Sequence, residues 1–298
     1  MIETCSVIVL SYNSSSTVIQ TLESIKNQTH SAIQLIVNDD GSSDDSINLI
    51  SNWIESNKSS FENVIVNFQE HNIGIPGSLN QCIELSTGEY IKVIAADDIL
   101  ISDCISKYIT YFKIHKPLVC FSYASIFESS LYDRNEIIPD GYARTLFDSS
   151  PNKQFSSLLN ECFPPAPTVF FDKKIFNLHG NFDVRFLSED HPYWIYLTRH
   201  KVKLHFMDEV TVFYRKSSNS ITGNSGVSNF NYEVKNLVYS MIICKYKHRL
   251  SLTRLNFFYD LWLMRRILST KSKHLCELYK LLRKFTPYLI NRKIRQII

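Results

Sequence analysis

Four short apolar runs divide the first hundred residues, and three of them end at a conspicuously polar turn. Ser6–Leu10 runs into Ser11–Tyr12–Asn13, Ile33–Val37 into Asn38–Asp39–Asp40–Gly41–Ser42–Ser43, and Tyr90–Ala95 towards Asp97–Asp98. The remaining run, Val64–Val66, precedes a His71–Asn72–Ile73–Gly74 loop. Between the runs, apolar residues recur at helical spacing: Val18, Leu22 and Ile25 within 17–27, then Ile47, Ile50 and Ile54 within 46–56. Ser78 to Leu85 reads as a further helix. Short β-branched runs that alternate with helices predict a parallel sheet with helices on its faces. Such sheets bind ligands at the carboxyl ends of their strands. Those ends are where the chemically rich residues fall, so segments distant in sequence are expected to converge on one edge.

Beyond about residue 115 the periodicity loosens. Phe163–Pro164–Pro165–Ala166–Pro167 reads as a rigid loop, and Leu204–Met207 and Val210–Tyr214 as further strands. Ser217 to Asn229 is rich in Ser, Asn and Gly and reads as a mobile loop. With 44% hydrophobic residues in 298, the chain can bury a substantial core. Its net charge of +3 hides an asymmetry. Residues 241–298 carry 14 Lys and Arg against 2 acids, whereas the preceding 240 carry 18 against 27. An acidic body with a basic tail suggests that the tail meets something anionic. Seven cysteines are scattered singly without zinc spacing, which fits reduced core thiols in a cytoplasmic protein. No signal peptide is visible, and no run approaches the roughly 20 apolar residues that span a bilayer.

Four constellations carry candidate chemistry. Asp97–Asp98 places two carboxylates at a strand end, where a hard cation such as Mg²⁺ or Mn²⁺ would join them and grip a diphosphate. The plainer reading is a helix start, with Ile99–Leu100 opening the helix. Asp39–Asp40–Gly41–Ser42 offers acceptors for a base or ribose, or else forms an ordinary turn before a helix. Glu189–Asp190 supplies a carboxylate able to deprotonate a hydroxyl, and Ser188 with Pro192 also marks a helix start there. Tyr214–Arg215–Lys216 places cations at a strand end, either facing a diphosphate or solvated.

The ordered set Ser-Val-Ile-Val-x-Ser-Tyr-Asn, Gln28–Thr29, Asp39–Asp40–Gly41–Ser42, Asn72-x-Gly74, Asn80, Gly88–Glu89–Tyr90, Ala96–Asp97–Asp98, Gly-x-Phe-Asp at 180–183, Glu189–Asp190 and Tyr214–Arg215 resembles the family 2 glycosyltransferases over roughly residues 5–222. That resemblance implies an α/β fold of GT-A type, a Rossmann-like nucleotide-binding mixed sheet flanked by helices. It implies a catalytic domain over 1–225, with a nucleotide-sugar half at 1–115 and an acceptor half at 116–225. A basic helical extension would occupy 226–298. The implied reaction is inverting transfer from a UDP-sugar, with Mn²⁺ or Mg²⁺ as cofactor. Ser11, Tyr12, Asn13, Asp39, Asp40, Asn72, Gly74 and Asn80 would serve the donor, with Tyr12 and Asp40 on the uracil. Asp97 would hold ribose, and Asp97 and Asp98 the metal. Asp190 resembles the general base, with Glu189, His191 and Trp194 lining the acceptor side, Trp194 by stacking on a sugar. Arg215 would face the diphosphate. Leu10 replaces the family's usual Pro, Ala95 stands where an upstream Asp is usual, and Ser217 where many members have a His. A third protein ligand to the metal is thereby left open.

The tail mixes Phe257, Phe258, Tyr259 and Trp262 with Arg265–Arg266, then adds cations from Lys280 to Arg295. Such helices lie in a membrane interface and gain about 1 kcal/mol per well-placed cation. The expectation is peripheral attachment of 241–298 to the anionic inner face of a cell membrane. There the acceptor would be a lipid-diphosphate-linked saccharide of bacterial surface polysaccharide, the O-antigen type included. The competing expectation packs the tail on the catalytic domain, or on a second copy in a homo-oligomer. Nucleic acid is not an expected partner, because no recognition motif accompanies the charge. Two other functions compete: a nucleotidyltransferase, although Ser11–Tyr12–Asn13–Ser14 lacks its Gly-rich basic loop, and a degenerate family member that binds sugar without turnover.

Overall fold

A computed structural model describes residues 2–128, 136–158, 162–186 and 188–216. Among them the strands are β1 Cys5–Ser11, β2 Ile33–Asp39, β3 Asn63–Phe68, β4 Tyr90–Ala95, β5 Ile99–Leu100, β6 Val119–Phe127, β7 Glu136–Ile138, β8 Phe170–Asp172 and β9 His205–Arg215. The α-helices are α1 Val18–Lys26, α2 Ser46–Asn57, α3 Ile75–Leu85, α4 Cys104–His115, α5 Gly141–Asp148, α6 Pro151–Leu158, α7 Lys174–His179 and α8 Asp190–Arg199. One sheet runs in the order β3-β2-β1-β4-β8-β6-β9-β5, with β7 paired to β6.

The first four strands in that order are parallel, as the sequence pattern predicts. Every residue of β2 is buried, because helices cover both faces of a parallel sheet. Helix α1 turns Val18, Thr21, Leu22 and Ile25 into the core, matching the periodicity. The second half is mixed: β8 is antiparallel to β4 and β6, β9 is parallel to β6, and β5 is antiparallel to β9. The whole is therefore the mixed α/β sheet expected of a GT-A fold.

Three local expectations are corrected. Ile99–Leu100 does not open a helix; it is a two-residue strand that pairs Ile99 with Phe213 and Leu100 with Val212. Helix α4 begins only at Cys104. Leu204–Met207 and Val210–Tyr214 are not two strands but one, β9, with register shifts where Ser122 pairs with Met207 and Tyr123 with Val210. Of the three extra residues, Asp208 and Glu209 bulge outward to Arg144 and Lys107, and Thr211 turns inward to Ser122. The Pro-rich loop also contains a 3₁₀ turn at Ala166–Thr168.

Aromatic contacts knit the two halves together. Tyr108 stacks on Phe170 at 4.6 Å between ring centres, and Phe112 meets the same ring edge-on at 5.2 Å. Cys5, Cys82, Cys104 and Cys120 are buried thiols. This compact unit closes at Lys216. The expected loop at 217–229 and extension at 226–298 lie outside the described residues. Among the described residues, no helix is long and apolar enough to cross a membrane.

Candidate active site

The carboxyl ends of β1 and β2 build a turn whose parts hold each other. Asp39 is fully buried and accepts from Ser11 Oγ at 2.8 Å, Ser42 N at 2.8 Å and Ser42 Oγ at 2.7 Å. Asp40 accepts from the backbone N–H groups of Ile73 and Gly74 at 2.9 and 3.0 Å, which draws the loop after β3 against the turn. Gly41 lies between them at φ +75°, and a Cβ there would sit 3.1 Å from the Asn72 backbone nitrogen. Only glycine meets both demands. Asn13, at φ 51°, accepts from Ser43 N through its side chain and donates its own N–H to Ser42 Oγ. Asn72 accepts from Gly74 N. Tyr12 is 53% exposed, so its ring stands open above this braced floor.

Asp97 and Asp98 follow β4. Thr17 Oγ1 donates to Ala96 O, and Thr21 Oγ1 to Asp98 O, so one hydroxyl at the N-cap of α1 and one in its first turn fix the backbone of this turn. Asp98 is 1% exposed and accepts from the Arg215 backbone N–H at 2.9 Å. Burial, then repulsion from Asp97, pushes the Asp98 carboxyl well above the usual carboxylate range. Burial also raises Asp97. The Arg215 guanidinium donates Nε to Asp97 O and an Nη to Gln20, and lies 4.4 Å from the centre of the Phe127 ring. In this arrangement Arg215 organises the carboxylate turn through that backbone oxygen. A divalent cation suits two adjacent carboxyls, one buried and one half-buried, because it relieves the desolvation and repulsion that raise them. Among the described residues no group of three acidic, His or Cys side chains could hold a metal. An ion here would complete its shell with diphosphate oxygens and water, as Mg²⁺ commonly does.

The third cluster surrounds the start of α8. Asn80 on α3 accepts from Phe182 N at 3.0 Å and donates to Phe182 O at 2.8 Å, which clamps the Gly180–Asp183 loop to the nucleotide-side helix. Both ends of the Asn80 amide are engaged in this clamp. Glu189 lines a small cleft with Leu79, Val93, Ala166, Val169, Phe171, Phe182 and Trp194, about 260 Å³ including space open to solvent. Burial, then the neighbouring Asp190 charge, pushes Glu189 up to about 8. Asp190 opens α8, and the Cys162 Sγ lies 4.0 Å from its Oδ2.

One expectation on the acceptor side is corrected. Trp194 is 1% exposed, edge-on to Phe121 at 4.9 Å and stacked with Phe171 at 5.9 Å, so its faces are not open to a sugar. It sits on the inward side of α8, and its buried Nε1–H has no partner among the described residues. The His191 ring lies against Leu158 O at 2.6 Å, tying α8 to α6, and burial lowers its pKa.

The model for Glycosyl transferase family 2 matches residues 6–178, more than half of the chain. The chain belongs to that family. It is 27% identical over 225 residues to the UDP-Glc:alpha-D-GlcNAc-diphosphoundecaprenol beta-1,3-glucosyltransferase WfaP of Escherichia coli, covering 74% of this chain and 81% of that one. A second E. coli enzyme described in the same terms, WfgD, is 24% identical over 221 residues, covering 74% and 79%. Among solved structures, S. aureus TarS 1-349 in complex with UDP-GlcNAc superimposes with a TM-score of 0.63 at 15% identity, covering 88% of this chain and 72% of that one. The mannosyltransferase PcManGT from Pyrobaculum calidifontis, in complex with GDP-Man and Mn²⁺, gives 0.60 at 13% identity, covering 97% and 83%. At these identities the structures establish the GT-A fold. Family membership makes the chain a transferase and sets the nucleotidyltransferase reading aside.

Thr17, Gln20 and Thr21 escaped the sequence reading. Thr17 is the N-cap of α1, Gln20 and Thr21 follow at i+3 and i+4 on the same side, and that spacing was the available signal.

Proposed function

We propose that the protein transfers a hexose or N-acetylhexosamine from a UDP-sugar to a hydroxyl of a lipid-diphosphate-linked saccharide, with inversion, during assembly of a bacterial surface polysaccharide. The observation that carries this reading is the Asp97–Asp98 turn just after β4, a half-buried carboxylate beside a buried one. Its backbone is fixed from α1 and from β9, so the pair is held ready rather than free to turn outward. The E. coli relatives WfaP and WfgD make UDP-glucose the first donor to test.

In this reading Tyr12 stacks on the uracil, and the Asp40 carboxylate accepts from the base while bracing the Ile73–Gly74 backbone. Ser11 and Asp39 brace the floor beneath it, and Asn13, Asn72 and Gly74 shape its rim. Asp97 and Asp98 would hold Mn²⁺ or Mg²⁺, which when bound neutralises charge on the departing diphosphate. Arg215 fixes the backbone of that carboxylate turn. Asn80 sets the acceptor loop relative to α3. Asp190 takes the proton as the acceptor O–H bond breaks and the new bond to the anomeric carbon forms. The electron pair of the old bond leaves with UDP on the opposite face. Glu189, still protonated near neutrality, donates a hydrogen bond to the acceptor.

UDP release with a panel of UDP-sugars, with and without Mn²⁺ and a GlcNAc-diphospholipid acceptor, tests this reading. Acceptor-dependent release with one or two donors is expected. Tight UDP binding with no turnover for any donor would instead favour a sugar-binding or scaffold role. We also propose that residues 241–298 bring the protein to an anionic membrane surface on the cytoplasmic side. Sedimentation with phosphatidylglycerol vesicles should fall when Arg265 and Arg266 are both changed to Glu. Unchanged sedimentation would point to packing of the tail on protein, including a second subunit.

A further inference from the structure

Lys92 stands in the middle of β4, in the run Tyr-Ile-Lys-Val-Ile-Ala, and is completely buried. An ammonium taken out of water needs its three N–H donors filled. Nζ donates to Val93 O at 2.9 Å, Pro167 O at 2.6 Å and Val169 O at 3.3 Å. Among the described residues, the charged and titratable groups around it are Cys104 on α4, Asp98 beyond β4 and Cys5 on β1, and none of them bonds to Nζ. All three donors therefore go to backbone carbonyls, two of them in one loop.

That loop has an unusual need. Phe163 to Val169 contains Pro164, Pro165 and Pro167, which have no N–H, so the segment cannot stitch itself into the sheet by backbone donors. The Thr168 and Val169 N–H groups close turns onto Pro165 O and Ala166 O, so it is the carbonyls of Pro167, Thr168 and Val169 that must be met from elsewhere. Tyr108 OH donates to Thr168 O, the Ser122 N–H to Thr168 Oγ1 at 3.2 Å, and Lys92 takes the carbonyls on either side. Ala166 and Val169, held in this way, form one wall of the cleft lined by Glu189 and Trp194.

We infer that Lys92 is a positioning residue for the acceptor side of the reaction: its ammonium sets the 166–169 wall at a fixed distance from Glu189. This rests on the transferase reading above. A purely structural lysine would lower the folded fraction and leave both KM values alone. A wall that positions the acceptor would change acceptor KM and let water compete for the donor, while UDP-sugar affinity stayed constant.

The test uses full-length protein with Lys92→Met and Tyr108→Phe, varying donor and acceptor separately and measuring UDP-sugar hydrolysis against transfer. Lys92→Met should raise acceptor KM about tenfold and increase the hydrolysis share; because Lys92 also faces Asp98, the unchanged UDP-sugar Kd is read by calorimetry on Tyr108→Phe. Tyr108→Phe removes one hydroxyl from the same wall and should shift both quantities the same way by less. If Lys92→Met does not fold, Tyr108→Phe decides. Unchanged acceptor KM and hydrolysis share, in a wild type that transfers, overturn the inference alone. A wild type that transfers nothing overturns the transferase reading, and this inference with it.

Discussion

Glu189→Gln should stabilise the protein in alkaline buffer and leave it unchanged in acid. Glu189 lies beside Asp190 in a largely apolar cleft, and its carboxyl rises from 4.5 to about 8 on folding. Between those values the folded chain holds a proton that the unfolded chain has released. Stability therefore falls as pH rises through that window, by about 1.4 kcal/mol per unit at the steepest. The whole span, from 4.5 to about 8, sets a ceiling of about 5 kcal/mol. The side chain is only half-buried, and solvent screening brings the expected effect to about 2 kcal/mol. Glutamine keeps the shape and the donor of the protonated acid and does not titrate. Removing about 2 kcal/mol of strain from a domain of this size corresponds to a Tm rise of about 4–8 °C. The assay is thermal unfolding of both proteins by circular dichroism from pH 5 to pH 9. The gap should be small at pH 5, widen steadily to about pH 8 and level off above it. A constant gap across the range would refute the reasoning, because it would mean that Glu189 carries the same proton occupancy folded and unfolded.

Three further outcomes are expected. Asp190→Asn should lower kcat about 10²- to 10⁴-fold while calorimetry shows unchanged UDP-sugar binding; wild-type turnover would remove Asp190 from the base role. Asp97→Asn should weaken Mn²⁺-dependent UDP binding with little loss of Tm, whereas Asp98→Ala should weaken it and also lower Tm, because Asp98 anchors the Arg215 backbone; equal melting of the two variants would argue against that anchoring. Gly88→Ala should destabilise by about 1–3 kcal/mol in urea unfolding, since a Cβ there would sit 2.7 Å from both Ser6 N and Thr4 O.

The sequence exposed the nucleotide side more fully than the acceptor side, for physical reasons. Strands β1, β2 and β4 are buried apolar runs that end in acids and turn residues, so their periodicity and their chemistry lie together. Ile99–Leu100 is too short to show a period, and its partners Phe213 and Val212 lie more than a hundred residues away; its pairing was invisible locally. Strand β6 and helix α4 went unread because neither ends at a chemical signal. Trp194 shows the limit of residue type as a guide: an aromatic beside an acid pair looked like a sugar platform, but the inward face of α8 placed it in the core. Arg215, read as facing a diphosphate, bonds Asp97 O and Gln20 and stays half-exposed, partners that lie 118 and 195 residues away and leave no local trace. Lys92 was legible in principle, since a lysine inside an otherwise apolar strand is an anomaly whose cause must be sought.

The Asp98–Arg215 contact also bears on when the site exists. The two residues are separated by 117 positions, and β5, next to Asp98, has its partner strand in β9 as well. A ribosome that extends the chain by about 5–20 residues per second needs about 6–23 s to make the intervening stretch. During that interval the nascent nucleotide half has its β1–β4 frame but lacks the partners that β9 brings to the carboxylate turn. The capacity to grip a charged donor is thus finished late in synthesis, after the residues that accept the proton have already been made.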